Sequence, residues 1–140
     1  MRHLLTLAAI IGSTILIGCG PNSAQTKPDS ETTSKIALDY LQDDAEFESV
    51  IKEKTTVVVM FNAAWCGHCK PLKQDLEKMS SEFAGQAKFC IIDIKQSNIA
   101  KEYEIGEVMP TTLILKDSKV LGRIEGNNAK QVREKLTAAL

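Results

Sequence analysis

Residues 56–70 read TVVVMFNAAWCGHCK, and this stretch decides the fold. Its first six residues, 56–61, are apolar or β-branched throughout, which is typical of a strand covered on both faces. Helical spacing then relates four apolar residues: Leu72, Leu76, Met79 and Phe83. This stripe predicts an amphipathic helix that ends before Gly85. The two cysteines of the stretch therefore lie between a buried strand and a helix.

Weaker patterns precede this stretch. The alternation of Ile36, Leu38 and Tyr40 predicts a short half-buried strand. Asp43, followed three residues later by Glu46, resembles a capping box, so a helix is expected over residues 44–53 with its apolar side on the core.

Further elements follow the stretch. The apolar run 88–94 predicts a second buried strand, and a short helix is expected around 97–103. Strands at 111–116 and 119–125 are joined by Asp117-Ser118 as a hairpin. The chain ends in a helix capped by Asn127 or Asn128, with its apolar residues on one face: Val132, Leu136 and Leu140.

From residue 56 onward the resulting order is β-α-β-α-β-β-α, and together with the first strand and helix it predicts an α/β domain over residues 36–140. Parallel crossovers come first and an antiparallel hairpin comes last, so the central sheet is mixed and helices flank both of its faces. Within that sheet Cys90 lies in the run FCII, where a small apolar thiol is ordinary core filling.

The cysteine pair Cys66 and Cys69 is the candidate reactive site. At a helix N-terminus the dipole and unpaired N–H groups stabilise a thiolate, so the pKa of Cys66 should fall below the ordinary value of about 8.5. One helical turn brings Cys69 back beside Cys66 but turned further inward. This arrangement predicts that the outer thiol attacks and the inner one resolves.

Two other interpretations of a CxxC pair are a structural disulfide and half of a zinc site. Zinc requires four ligands, and the sequence has neither a second CxxC nor a His pair. Haem attachment would require His directly after Cys69, where Lys70 stands. No metal and no cofactor is therefore expected.

The chain resembles the thioredoxin superfamily over roughly residues 36–140. The resemblance rests on WCGHCK after an apolar strand, Met109-Pro110-Thr111 before the hairpin and Gly126 before the last helix. It implies a thioredoxin fold, with Cys66 as the nucleophile and Cys69 as the resolving thiol. It also implies that Trp65 shields the site, and that Pro110 forms a cis peptide bond with Met109 and faces a disulfide between the two cysteines.

The dipeptide Gly67-His68 gives the CGHC form found in protein disulfide isomerase domains. A protonated His68 would lower the pKa of Cys66 further, and stabilising the reduced form makes the couple more oxidising.

Two departures from the family are expected to matter. Met60 stands where thioredoxins carry a buried Asp, and the segment 103–110 before the cis-proline is one residue longer than usual.

The N-terminus resembles that of a bacterial lipoprotein. Residues 1–18 form a signal peptide whose apolar part is too short to be a permanent span. They end in Leu-Ile-Gly before Cys19, which the resemblance makes the lipidated residue. Residues 19–35 are then a lipidated cysteine followed by a flexible linker. The alternative is a plain cleavage site next to an incidental thiol.

Charge excludes one class of partner. The chain of 140 residues has 17 Lys and Arg against 18 Asp and Glu, with no long block of either sign, so nothing supports nucleic-acid binding.

The sequence predicts a thiol–disulfide oxidoreductase, tethered by lipid to the cell envelope outside the cytoplasm. Its expected partners are exported protein thiols and disulfides and a membrane redox protein. The alternative is a non-catalytic thioredoxin-like module that binds extended protein segments.

Overall fold

The computed structural model describes residues 38–95 and 97–140. The predicted signal peptide 1–18, Cys19 and the linker 19–35 lie outside the described residues, as does Ile36. Among the described residues, no helix has the length and apolar character needed to cross a bilayer.

Nine helices and strands make up the described part of the chain. They are β1 Asp39–Leu41, α1 Asp44–Ile51, β2 Thr56–Asn62, α2 Cys69–Glu82, β3 Ala87–Asp93, α3 Ile99–Glu102, β4 Thr111–Lys116, β5 Lys119–Glu125 and α4 Ala129–Ala139. The predicted order of elements is confirmed, and each predicted boundary differs by a few residues at most.

The sheet has the strand order β1-β3-β2-β4-β5. Strands β1 and β2 both run parallel to β3, whereas β4 is antiparallel to β2 and to β5. The mixed sheet is therefore confirmed, and β2 lies at its centre. A strand in this position is buried on both faces, as the unbroken apolar run of β2 predicts.

Each face of the sheet packs against helices of its own. The alternate residues Val58 and Met60 of β2 join a cluster with α2 and α4. Their neighbours Val57, Val59 and Phe61 join a second cluster with α1 and α3. Because side chains alternate along a strand, the five residues from Val57 to Phe61 enter the two cores in turn.

Local signals determine where several elements begin and end. Asp43 Oδ1 accepts a hydrogen bond from the Glu46 N–H at 2.9 Å, which caps α1 as expected. Asn128, rather than Asn127, caps α4 by accepting from Gln131 N–H at 3.1 Å. The hairpin turns at Asp117 and Ser118, whose φ angles of 50° and 62° match the twist of the flanking strands.

Two expectations about burial were wrong. Tyr40, which the alternation places on the buried side of its strand, is 52 % exposed, because β1 is a three-residue edge strand and the Tyr40 ring lies under the Lys73 side chain instead of the core. Leu140 is 44 % exposed, whereas Val132 and Leu136 are buried. Leu140 follows Ala139, the last residue of α4.

Candidate active site

A disulfide joins Cys66 and Cys69 at the end of the central strand. The segment after β2 turns sharply, because Cys66 N–H donates to the Ala63 carbonyl at 3.0 Å and Cys69 N–H donates to the Cys66 carbonyl at 3.3 Å. The Cα atoms of the two cysteines are 5.5 Å apart. The pairing that the family resemblance implied is therefore present.

The two sulfur-bearing residues differ in exposure. Cys66 is half-buried, whereas Cys69 is 2 % exposed and belongs to the cluster beneath α2. A thiolate or a disulfide of another molecule can therefore reach Cys66 more easily than Cys69. The expected roles of an outer attacking thiol and an inner resolving thiol fit this difference in burial.

Helix α2 begins later than the sequence predicts. Cys69 is its first residue and His68 is its N-cap, and the His68 side chain makes no capping hydrogen bond. Cys66 therefore precedes the helix and is connected to its first residue through the disulfide. The reason is local: the turn from Cys66 to Cys69 uses the Cys69 N–H before the regular helical bonds begin.

The peptide bond between Met109 and Pro110 is cis, as the resemblance implies. Thr111, the next residue, pairs with Phe61 across β2 and β4, so Pro110 lies level with the end of β2 that leads to Cys66. Met109 is half-buried and packs against both clusters, and Pro110 is buried.

Hydrogen bonds hold the backbone on each side of this proline. Thr111 Oγ1 donates to the Val108 carbonyl at 2.6 Å, and Gly126 N–H donates to the Pro110 carbonyl at 2.7 Å. Gly126 has φ 77°, a conformation that glycine adopts without strain. The glycine noted before the last helix thus has a structural role beside the site.

Arg123 also holds this segment, and the sequence analysis missed it. Its guanidinium donates to the carbonyls of Tyr103 at 2.7 Å and Glu104 at 2.9 Å, and its Nε donates to Glu125 at 2.9 Å. One planar group thereby ties β5 to the loop that leads to the cis-proline. No local pattern predicts this contact, since Arg123 is one exposed charge among many.

Exposed apolar side chains lie directly before Cys66 and on the segment that leads to the cis-proline. Trp65, directly before Cys66, is 65 % exposed, and Val108 is 44 % exposed beside Met109. Gly67 has open space around its Cα, and His68 is exposed. Trp65 therefore presents its indole to solvent next to the disulfide, where it can contact another protein.

The layer beneath the disulfide is apolar. Met60 is 1 % exposed and shares a cluster with Cys69, so the position that would carry a buried Asp holds a thioether. Cys90 is fully buried in the cluster on the opposite face of the sheet, and this burial raises the pKa of its thiol to about 12. Cys90 is core, as expected, and takes no part in the site.

A cleft of about 250 Å³ opens beside the disulfide between α2 and the edge of the sheet. Its lining includes both cysteines together with residues from each neighbouring element: Tyr40, Asn62, Ala63, Ala64, Lys70, Lys73 and Ile91. Within residues 38–95 and 97–140 there is no group of three His, Cys, Asp or Glu side chains that could hold a metal ion.

This fold and this site define a class of protein. A mixed sheet of this topology, a cysteine pair with one reachable sulfur at the start of a helix and a cis-proline on the neighbouring strand are together the features of a dithiol–disulfide oxidoreductase.

Comparison with known proteins identifies the family. The thioredoxin family model matches residues 39–138. Thioredoxin-1 of Saccharomyces cerevisiae is 34 % identical over 95 residues, which are 67 % of this chain and 90 % of that protein. Mitochondrial thioredoxin of Mus musculus is 39 % identical over 88 residues, 61 % of this chain and 52 % of that one. The chain belongs to the thioredoxin family, whose members are protein-disulfide oxidoreductases.

Solved thioredoxin structures have the same fold as this chain. Thioredoxin from Trypanosoma brucei brucei superposes with a TM-score of 0.71 at 26 % identity, covering 80 % of this chain and 97 % of that one. The reduced Schistosoma mansoni thioredoxin pre-protein superposes with a TM-score of 0.69 at 28 % identity, covering 74 % and 99 %. The predicted fold is therefore confirmed.

Proposed function

We propose that this protein is a membrane-tethered thiol–disulfide oxidoreductase that exchanges disulfides with exported proteins. The observation that carries the chemistry is the unequal exposure of the two cysteines, with Cys66 half-buried beside an exposed Trp65 and Cys69 almost fully buried. An exposed apolar surface next to the reachable sulfur suits a protein substrate better than a small one.

In the reducing direction the exchange has two steps. The Cys66 thiolate attacks one sulfur of a substrate disulfide, so a mixed disulfide forms and the other substrate sulfur leaves as a thiolate that takes a proton. The Cys69 thiolate then attacks the Cys66 sulfur, forming the Cys66–Cys69 disulfide and releasing the second substrate thiol. Two electrons pass from the cysteine pair to the substrate, and the oxidising direction is the reverse.

The N-terminal sequence supports the tether. A short apolar segment ending in Leu-Ile-Gly-Cys19 is typical of a lipoprotein signal, and two acyl chains anchor a protein far more stably than one. The polar residues 20–34 would separate the lipid from the domain. The protein would then act in the cell envelope, with a membrane redox partner that resets the cysteine pair.

Trapping tests the exchange. Cys69→Ala, expressed as the full chain in a bacterial host that exports it, removes the resolving thiol and should accumulate mixed disulfides through Cys66. These would appear as reducible higher-mass species that contain envelope proteins. Cys66→Ala with Cys69→Ala is the matched control and should give none. A binding module with a static disulfide would give no trapped species and no reduction of insulin by the wild-type chain.

Fractionation tests the tether separately. The full chain should partition with membranes and incorporate labelled palmitate, and Cys19→Ser should lose both properties while its purified domain retains disulfide exchange. A Cys19→Ser protein that stays on the membrane with unchanged labelling would refute the lipid anchor and leave the redox activity standing.

A further inference from the structure

Cys69 must lose its proton before it can resolve a mixed disulfide, and the described residues in the layer beneath it include no buried acid or base. Met60 packs in the same cluster, and burial in apolar surroundings favours the neutral thiol. A group that favours the Cys69 thiolate must therefore come from elsewhere. The cleft between α2 and the sheet edge is the side from which such a group can act.

Lys73 lies on that side. It follows Cys69 by four residues on α2, so both side chains project from the same face of the helix, and both line the cleft. The Lys73 side chain is 38 % exposed, so neighbouring side chains cover much of its surface. A charge there interacts with a buried sulfur more strongly than a fully solvated one would.

Tyr40 holds the Lys73 side chain in place. The Lys73 Nζ lies 4.9 Å from the centre of the Tyr40 ring, within the range of a cation–π contact. The Tyr40 phenol, followed by Glu77, raises the pKa of Lys73, so its side chain stays positively charged at physiological pH. Tyr40, whose exposure the sequence did not predict, thus restrains the Lys73 side chain beside the site.

Of the other charged groups near the cleft, Lys70 adds positive charge and the rest lie outside its lining. Among the described residues that line it, the charged ones are Lys70 and Lys73, both positive. Glu77 lies 3.9 Å from Lys73 Nζ but lines the adjoining groove, and the exposed His68 lies in the turn before α2. On β3, Asp93 faces the same side as Ile91, and its carboxylate accepts from Lys95 N–H at 2.9 Å.

We propose that Lys73 is a positioning residue for the resolving step, with its ammonium group stabilising the thiolate form of Cys69 across the cleft. The proton of Cys69 leaves to solvent through the same cleft, and the thiolate then attacks the Cys66 sulfur and expels the substrate thiolate. The inference rests on the disulfide exchange proposed above.

The test follows the two steps separately with a neutral probe. The reduced full chain carrying Cys19→Ser is mixed with dithiodipyridine in a stopped-flow instrument. Attack by Cys66 releases one thiopyridone, and resolution by Cys69 releases the second. Since the probe is uncharged, removing a lysine does not change its attraction to the protein. A wild-type chain that releases no second thiopyridone would refute the exchange itself, independently of Lys73.

Lys73→Met should slow the second phase and leave the first nearly unchanged. Loss of the ammonium should raise the pKa of Cys69 by about one unit. The thiolate fraction then falls about tenfold and the nucleophilicity of the thiolate rises about threefold, so the second phase should slow about threefold at pH 7. Lys73→Gln should behave in the same way, and Lys73→Arg should restore most of the rate.

Lys78→Met is the matched control, since Lys78 lies on the same helix, is 76 % exposed and pairs with Asp75. It should leave both phases unchanged. Titration of the Cys69 thiolate in a Cys66→Ala background checks the cause, because Cys90, with its pKa of about 12, stays protonated over the working range. An unchanged pKa of Cys69 in Lys73→Met, or an equal slowing in Lys78→Met, would overturn the proposal.

Discussion

Thr112 lies directly opposite Met60 in the pairing of β4 with β2. The two side chains therefore share the face of the sheet that packs against α2, whose first residue is Cys69. Thr112 is completely buried, and its hydroxyl has no hydrogen-bond partner among the residues that the structure describes. Its neighbour Thr111 is also buried, but the Thr111 hydroxyl donates to the Val108 carbonyl at 2.6 Å. Of these two adjacent buried threonines, Thr111 has a paired hydroxyl and Thr112 does not.

Thr112→Val should stabilise the protein. The replacement keeps the shape of the side chain and removes a buried hydroxyl whose desolvation is not offset, which is worth about 1 kcal/mol. The expected rise in Tm is about 4 °C. Thr111→Val is the matched control and should lower the Tm, because it leaves the Val108 carbonyl without its donor. Equal effects of the two substitutions would contradict the account.

Arg123→Lys should weaken the use of protein substrates. A lysine ammonium cannot reproduce the planar fork that reaches the carbonyls of Tyr103 and Glu104, so the loop before the cis-proline should lose about 1 kcal/mol of restraint. We expect KM for reduction of insulin to rise severalfold, with kcat little changed. Arg133→Lys is the control, because Arg133 pairs with Glu82 at the C-terminal end of α2, opposite the end that begins at Cys69. It should leave KM unchanged.

His68→Ala should make the cysteine couple more reducing. His68 is exposed at the N-cap of α2, two residues from Cys66, and a positive charge there favours the reduced thiolate. We expect the reduction potential to fall by about 30 mV, which is a tenfold change in the exchange equilibrium. Equilibration with glutathione measures it. An unchanged potential would remove the argument for an oxidising role and favour a tethered reductase.

Asp44→Asn should destabilise the protein more at neutral pH than in acid. The nearby Ser97 hydroxyl and the N–H groups of Asn98 and Ile99 lower the pKa of the Asp44 carboxyl below its ordinary value of 3.8. A lowered folded pKa means that the stabilisation is complete above the unfolded pKa and disappears as pH falls through the folded one. Urea unfolding at pH 7 and pH 3 should show a smaller difference between Asp44→Asn and the wild type at pH 3 than at pH 7.

Asp75→Asn is the control for that experiment, since the Asp75 carboxylate pairs with the exposed Lys78 and links no two elements. It should change stability little at either pH. A difference between Asp44→Asn and the wild type that persists unchanged at pH 3 would show that the carboxylate charge is not the cause.

The elements and the reactive pair could be predicted because their signals are local. An unbroken apolar run identified β2, a stripe with helical spacing identified α2, and the spacing of Cys66 and Cys69 indicated the redox pair. The resemblance to the family correctly implied the cis bond before Pro110. Each of these signals lies within a few neighbouring residues, where backbone preference and side-chain periodicity act directly.

The tertiary structure alone decided which distant side chains meet. Lys73 lies over Tyr40, 33 residues earlier, and Arg123 of β5 reaches the carbonyl of Tyr103, 20 residues earlier. The unpaired hydroxyl of Thr112 follows from its register opposite Met60. Such contacts depend on the register of the strands and on how the helices pack against the sheet. Many residues set these together, and no short stretch of sequence encodes them.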